Sequence, residues 1–357
     1  MHLLVIRFSA LGDVAMTVPV IDTIARKRPD LQITVLSRPF ASPLFASMPP
    51  NVSFVGADLK KEYKGLKGLC RLFVRLRKKR IDRVIDLHDV LRTKLLRCLF
   101  TLSGTPSTHI RKGRKEKKRL VKGGGNKGLE SLPSSFERYA TAFYQAGITE
   151  AMLPEVFHSS TSSSFHSVYG NGKGDVKSFC HIVGVPNNQH WIGIAPFAAH
   201  VGKIIPAETI SQVISHLAAR TDYRIFLFGG GEREEALMEH WSQGLNNVTS
   251  MAGKLKLDGE LALMSHLDLM VSMDSANMHL ASLVGVPVIS IWGATHPAAG
   301  FMGWGQKEGH AIQVPLACRP CSIYGNRPCK RGDYACLHSI RAEQIIEKID
   351  MVLSSKG

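Results

Sequence analysis

No apolar run in this 357-residue chain approaches the roughly 18 residues that cross a bilayer. Met1 opens directly into LLVIR and then polar residues, without the basic leader, long apolar region and small-residue cleavage site of a secretory signal. The expectation is a chain that is neither integral to a membrane nor secreted, and cytoplasmic. Aromatic residues make up only 7% of it and do not interleave with the basic segments. A nucleic-acid-binding protein using stacked bases is therefore the weakest of the function classes that the charge allows. There is no D-x-D, so the usual carboxylate pair for a metal–diphosphate is missing, and the expectation is no metal and no cofactor. Neither G-x-S-x-G nor G-x-x-x-x-G-K-[ST] occurs, which counts against a hydrolase elbow or a P-loop, and no H-E-x-x-H is present. Seven cysteines are too few and too unevenly spread for a disulfide scaffold. Four of them, Cys318, Cys321, Cys329 and Cys336, cluster behind one C-x-x-C. Zinc, a disulfide or redox-labile cluster, and plain buried thiols are all open readings of that cluster.

What is abundant is positive charge. Lys and Arg number 45 against 29 Asp and Glu, a formal net charge of +16, which favours an anionic partner. Much of it is local: Arg71, Arg75, Arg77, Lys78, Lys79 and Arg80 lie together, and RKGRKEKKRLVK covers Arg111 to Lys122. A nucleic acid, an acidic membrane surface or a phosphorylated substrate would suit such runs, as would a plain solvated face. The rest is ordinary globular composition, 44% hydrophobic and 21% charged, and long enough for two full cores.

Strand and helix signals alternate from the start. Leu3 to Arg7, Ile33 to Ser37, Val52 to Gly56 and Arg83 to His88 are strand candidates, with a helical pattern after the first of them in which Thr17 is a candidate N-cap and Pro19 fits the first turn. A serine- and glycine-rich stretch, residues 159–174, reads as a linker or mobile loop. Alternation resumes with Trp191 to Phe197, Tyr223 to Gly230, Leu267 to Ser275 and Val286 to Gly293, and an amphipathic helix ends the chain. The pattern predicts an α/β fold with two parallel-sheet domains: residues 1–174, residues 175–339, and a final helix in residues 340–357. No internal repeat is detectable. In such sheets ligands bind beyond the carboxyl ends of the strands, here in a cleft between the domains.

Several residues stand at those ends. Asp13 follows Gly12 at the mouth of a helix and is either a cap or a general base. The segment Gly229 to Glu235 opens a helix after a strand, where backbone amides can approach a phosphate or Glu232 a ribose. A formal G-x-G-x-x-G at Gly123, Gly125 and Gly128 has no strand before it and is read as a chance match. Asp274 and Ser275 close an apolar strand, and Ala276, Asn277, Met278 and His279 begin a helix whose first-turn amides form an anion site. His279 is either within reach of that anion or a structural histidine, and Lys203 is either a cation for the ligand or plainly exposed.

Together these residues resemble glycosyltransferase family 9, the heptosyltransferases of lipopolysaccharide core assembly. The family's S-A-L-G-D followed by T-x-P is present as Ser9 to Asp13, Thr17 and Pro19. Its D-[ST]-G-P-M-H-L-A, G-x-P and G-x-T-x-P signature is present as DSANMHLASLVGVPVISIWGATHP, with Ala276-Asn277 in place of Gly-Pro. The Lys203 K-x-x-P, the VIDLH strand and the C-x-P-C at Cys318 also match, whereas the segment before Lys203 reads FAAH and lacks the family's hydroxyl residues. The resemblance implies a GT-B fold with the last helix crossing back to the first domain. It implies Asp13 as the general base, Lys203 on the donor phosphate, and Glu232 on the donor nucleoside. Asp274, Ser275, Ala276 and His279 would hold the donor diphosphate and sugar.

The implied reaction is inverting and metal-independent transfer of heptose from ADP-heptose to an anionic lipid A–core glycolipid. The implied setting is a monomer at the cytoplasmic face of the inner membrane, with both basic runs in the acceptor-binding half. Another nucleotide sugar serving a surface polysaccharide is the alternative within the fold. A sugar epimerase of the same shape would need a different set of acidic and histidine residues.

Overall fold

The computed structural model describes residues 1–123, 129–159 and 165–355. Gly125 and Gly128 of the glycine pattern, and residues 160–164 of the serine-rich stretch, lie outside the described residues. The chain divides into two compact units. Residues 1–112 and 134–170 make the first, and residues 113–133 and 171–357 make the second.

The first unit holds a five-stranded sheet built from β1 (His2–Ile6), β2 (Gln32–Ser37), β3 (Val52–Gly56), β4 (Arg83–Asp86) and β5 (Ser107–His109). Its order is β3-β2-β1-β4-β5 and every pairing is parallel. A parallel strand in mid-sheet is covered on both faces, so it reads as an unbroken apolar run. Leu3 to Ile6 of β1 are fully buried for this reason. Leu4 and Ile6 share a core with Leu69, Leu72 and Leu76 of the Gly65–Arg77 helix and with Leu96 and Phe100 of the Leu91–Leu102 helix. The opposite face carries the Ser135–Gln145 helix, which touches β4 and β5. Ser134 caps that helix by accepting from the Glu137 amide at 3.1 Å, and the Glu137 carboxylate accepts in turn from the Ser134 amide.

The second unit holds a six-stranded parallel sheet of β6 (His190–Ala195), β7 (Tyr223–Leu227), β8 (Val248–Ser250), β9 (Leu269–Met273), β10 (Val288–Ile291) and β11 (Ala311–Ile312), in the order β11-β10-β9-β6-β7-β8. The strands that the apolar pattern does not reveal are β5, β8 and β11. Each has two or three residues and lies at a sheet edge, where half of the burial that makes a strand apolar is lost.

Three expectations need correction. The last helix, Ala342–Ser354, belongs to the second unit: Ala342, Ile345, Ile349 and Val352 recur at helical spacing and pack into the core of β6, β7, β9 and the Ala207–Ala218 helix. The second basic run also leaves the first unit. From Gly113 onward it groups with the second, where the Lys117 ammonium lies 4.5 Å from the centre of the Phe301 ring and the Leu132 amide donates to the Ala298 carbonyl. Finally, Thr17 is not an N-cap. It is the first residue of the Thr17–Lys27 helix, and its hydroxyl donates to the Val14 carbonyl at 2.7 Å, tying that helix to the short Leu11–Ala15 turn before it. Pro19 does occupy the first turn.

If the last helix completes the second core, Ile349→Ala removes a fully buried side chain from it. The expected cost is about 2–5 kcal/mol. The exposed Met351→Ala stays within about 0.5 kcal/mol. Denaturant unfolding followed by circular dichroism checks both, and equal effects would reject the packing described.

Candidate active site

In the first unit, chemistry gathers where β1 and β4 end. The chain leaves β1 through Arg7, Phe8 and Ser9 and enters the Leu11–Ala15 turn. Asp13 stands in that turn with its Oδ2 accepting from the Ala10 amide at 3.1 Å and lying 2.6 Å from an Arg7 guanidinium nitrogen. Arg7 is buried and also donates to the Leu87 carbonyl. Burial opposes its charge, but Tyr139, Asp13 and Asp86 outweigh burial and raise its pKa above the ordinary value. Tyr139 adds a second support by donating from its hydroxyl to the Asp13 carbonyl at 3.2 Å.

The end of β4 is organised by a buried carboxylate. Asp86 Oδ1 accepts from the amides of His88 and Asp89 at 3.0 and 2.9 Å, which turns the chain and sets His88 beside β1. One ring nitrogen of His88 lies 3.3 Å from the Ser9 hydroxyl. Burial, followed by the nearby Arg7 and Lys112 charges, pushes the imidazole down to about 4, so it is neutral at physiological pH. Ser9 and His88 both line a pocket of about 610 Å³ made by the segments that follow β1 to β4. Its walls combine Phe8, Phe40 and Leu59 with the cations Arg38, Lys60 and Arg92.

The second unit presents a different assembly. β9, β6 and β7 are neighbours in the sheet, so the loops that follow them lie side by side along one edge. Lys203 follows β6, and its ammonium lies 2.9 Å from Asp274 Oδ2 and donates to the Asp274 carbonyl at 3.0 Å. Asp274 follows β9 and is almost wholly buried, so the lysine is the counter-charge of an interior carboxylate rather than an exposed cation. Ser275 occupies the N-cap position of the Ala276–Leu283 helix. Its hydroxyl lies 3.2 Å from that of Ser272 and does not cap the helix amides itself. Ala276 begins the helix, and His279, one turn on, is buried.

Gly325, at φ +72°, allows the Lys203 stem to lie against the backbone, since a β-carbon there would stand 2.6 Å from Lys203 Cγ. Glu232 is exposed at the start of the Glu232–Ser242 helix after β7. The carboxylate that organises this glycine loop is a different one: Glu234 accepts from the Gly230 amide at 2.9 Å.

The structure thus brings Lys203, Asp274, Ser275, Ala276 and His279 to one edge of the second sheet, with Glu232 after the next strand and Asp13 at the equivalent edge of the first. Arg319 has no counterpart in the sequence reading, although it stands inside the C-x-P-C. It is buried, and its guanidinium donates to the carbonyls of Trp292, Gly293, Thr295 and Val314 and to the Gln313 side chain, at 2.6 to 3.1 Å. The four clustered cysteines are free thiols, with Cys336 pushed up to about 11 by burial. Among the described residues no group of three or more His, Cys, Asp or Glu is disposed to hold a metal ion.

Comparison with known proteins identifies the family and the fold. Residues 69–330 match the family described as glycosyltransferase family 9 (heptosyltransferase). The chain is 27% identical to lipopolysaccharide heptosyltransferase 3 of Escherichia coli over 304 residues, covering 80% of this chain and 81% of that protein. It superposes on the structure of E. coli ADP-heptose lps heptosyltransferase II with a TM-score of 0.70 at 19% identity, covering 100% and 99% of the two chains. A second E. coli heptosyltransferase, WaaC solved with ADP, gives a TM-score of 0.64 at 17% identity, covering 99% and 100%. The two parallel-sheet units are those of the GT-B heptosyltransferase structures, and the chain is a glycosyltransferase belonging to family 9.

Proposed function

We propose that this enzyme transfers heptose from ADP-heptose, with inversion and without a metal ion, to the anionic inner core of a lipopolysaccharide precursor. The observation that carries the reading is the Lys203–Asp274 pair held beside the start of the Ala276–Leu283 helix. A nucleoside-diphosphate leaving group needs its growing negative charge met by N–H donors already held in place. Asp274 and the Gly325 backbone hold the Lys203 stem in place, and the helix N-terminus adds oriented N–H dipoles alongside. Ser275, Ala276 and His279 belong to the same helix start and are the candidates to meet the diphosphate and sugar. Glu232, exposed after the adjoining strand, is the candidate for the ribose. The relative solved with ADP supports adenosine diphosphate as the leaving group.

Asp13 is the proposed base. Both of its contacts fall on Oδ2, so Oδ1 is the oxygen to receive the acceptor's hydroxyl proton. The deprotonating oxygen attacks the anomeric carbon from the face opposite the diphosphate. The C–O bond to phosphate breaks, and ADP leaves with its electron pair. The acceptor's anionic sugars are matched by Arg38, Lys60 and Arg92 around the first unit's pocket. The enzyme acts as a monomer at the cytoplasmic face of the inner membrane.

ADP is expected to raise the thermal midpoint of the wild-type protein, by mass action worth about 2.7 kcal/mol at a hundredfold excess over Kd. Lys203→Ala leaves Asp274 without its counter-charge and lowers the midpoint by itself. The decisive quantity is therefore the shift between ADP-free and ADP-bound mutant, which is expected to vanish. Stabilisation by UDP or GDP instead of ADP would replace the sugar donor and keep the reaction type.

Asp13→Asn is expected to slow transfer about 10²–10⁴-fold. Its ADP-induced thermal shift should remain that of the wild type. A mutant that loses both together would show Asp13 to be structural, and the base would have to be sought elsewhere.

A further inference from the structure

A surface helix turns its apolar stripe inward and its polar face to water. The Leu91–Leu102 helix meets the first half of that rule through Thr93, Leu96 and Phe100, which are buried. Its outer face breaks the second half. Leu91, Leu95, Cys98 and Leu102 recur at i, i+4, i+7 and i+11 and so form one line along the helix. Leu91 and Leu102 are 75% and 80% exposed, Leu95 39%, and Cys98 is exposed as well.

The Gly65–Arg77 helix packs beside it through an edge-on contact of Phe73 with Phe100 at 5.0 Å, and it repeats the pattern. Leu69, Leu72 and Leu76 face the core, while Leu66 and Val74 are 64% and 57% exposed on the outer side. Two adjacent helices thus both present aliphatic side chains to the surroundings.

Charge identifies what covers them. Residues 64–102 contain 12 Lys and Arg against 3 Asp and no Glu. Two of the three acids, Asp86 and Asp89, already face Arg97 at 3.7 Å. A second copy of the chain would meet this face with the same excess of cations, so self-association is opposed by charge. A nucleic acid offers phosphates but no hydrocarbon interior for the exposed leucines and valine of these two helices, and a single strand would call for aromatic stacking platforms that the two helices do not expose. Aliphatic side chains flanked by Lys and Arg suit an interface whose surface is anionic and whose interior is hydrocarbon.

The pocket supplies the link to chemistry. Leu91 and Arg92, which open the Leu91–Leu102 helix, also line it, as does Phe40, itself 48% exposed. A glycolipid can therefore place its sugars in the pocket while its acyl chains stay in the bilayer.

We propose that the outer face of these two helices docks on an anionic lipid bilayer, with Leu66, Val74, Leu91, Leu95 and Leu102 entering the headgroup–acyl boundary and the surrounding cations meeting lipid phosphates. The purpose assigned to this docking rests on the glycolipid-acceptor reading above; the docking itself does not.

The test uses the full chain and vesicles of phosphatidylglycerol with phosphatidylethanolamine, compared with phosphatidylcholine alone, in co-sedimentation. The wild type is expected to bind the anionic vesicles at least about tenfold more tightly than the neutral ones. Two variants at exposed positions outside the pocket lining separate the contributions. Leu95→Gln/Leu102→Gln is expected to weaken binding about tenfold or more through lost insertion. Lys67→Glu/Lys78→Glu is expected to weaken it by a similar factor and to reduce its salt sensitivity.

Wild-type protein that ignores anionic vesicles overturns the proposal, as does a leucine variant that binds like the wild type. So does a leucine variant that converts a dimer to a monomer on light scattering while keeping vesicle binding, which assigns the face to a second copy. The ADP thermal shift and transfer to a water-soluble core fragment, measured on the same variants, are expected to be unchanged. If wild-type protein fails those two measurements but binds vesicles, the reaction assigned above is wrong and the docking face stands.

Discussion

A parallel strand cannot be joined to its neighbour by a tight turn; the chain must cross back over the sheet before pairing again. Both sheets of this enzyme obey that constraint without exception, and the placement of every candidate functional residue follows from it. Crossovers cover both faces of each sheet, so polar side chains cannot gather there without being buried unpaired. The loops leaving the carboxyl ends of the strands are the positions left for chemistry. Asp13, His88 and the pocket stand at such ends in the first sheet. Lys203, Asp274 and Glu232 do so on the adjacent strands β6, β9 and β7 in the second.

Loops placed at one edge still have to be held, and in the second unit the holding is done from the cysteine-rich segment. Arg319 donates to carbonyls on both sides of the loop that follows β10. The next residues continue the tie: the amides of Cys321 and Ser322 donate to the Ala294 carbonyl, and the Ala294 amide donates to Gly202, directly before Lys203. A chain of backbone bonds therefore runs from the C-x-P-C to the lysine proposed to meet the diphosphate. This accounts for the buried guanidinium in energetic terms, because burial lowers its pKa yet five acceptors satisfy its charge in place of water. It also gives the segment a packing role that needs neither zinc nor a disulfide.

How much of this was legible in the sequence depended on whether a residue's role is local. The eight longer strands show themselves because each carries its own apolar run. β5, β8 and β11 do not, because two or three residues at an edge have no pattern to display. Asp274-Ser275 before a helix and Gly-Asp after the first strand are local signals, and those residues lie at strand ends as read.

The partnership of Lys203 with Asp274 spans 71 positions and the contact of Ser9 with His88 spans 79, and no periodicity encodes either. The last helix was legible as an amphipathic helix, but the sheet it covers was not. Its apolar face fits any apolar surface, and the resemblance to a family supplied the wrong partner. Arg319 was hidden for a different reason: a lone arginine reads as exposed, and only five converging acceptors show that it is interior.

At Asp13 a capping contact and the proposed role of base are compatible with one another. The sequence pattern at a helix start favours a cap, and the structure does contain one, from the Ala10 amide to Oδ2. A general base needs a carboxylate held at a fixed angle with one oxygen left for the incoming proton. The amide, the Arg7 guanidinium and the Tyr139 bond to the Asp13 carbonyl together immobilise the residue through Oδ2 and its backbone. Capping is thus the means by which Asp13 is positioned. A carboxylate without those contacts would rotate freely, and in the role of base proposed above it would lose the orientation on which proton transfer depends.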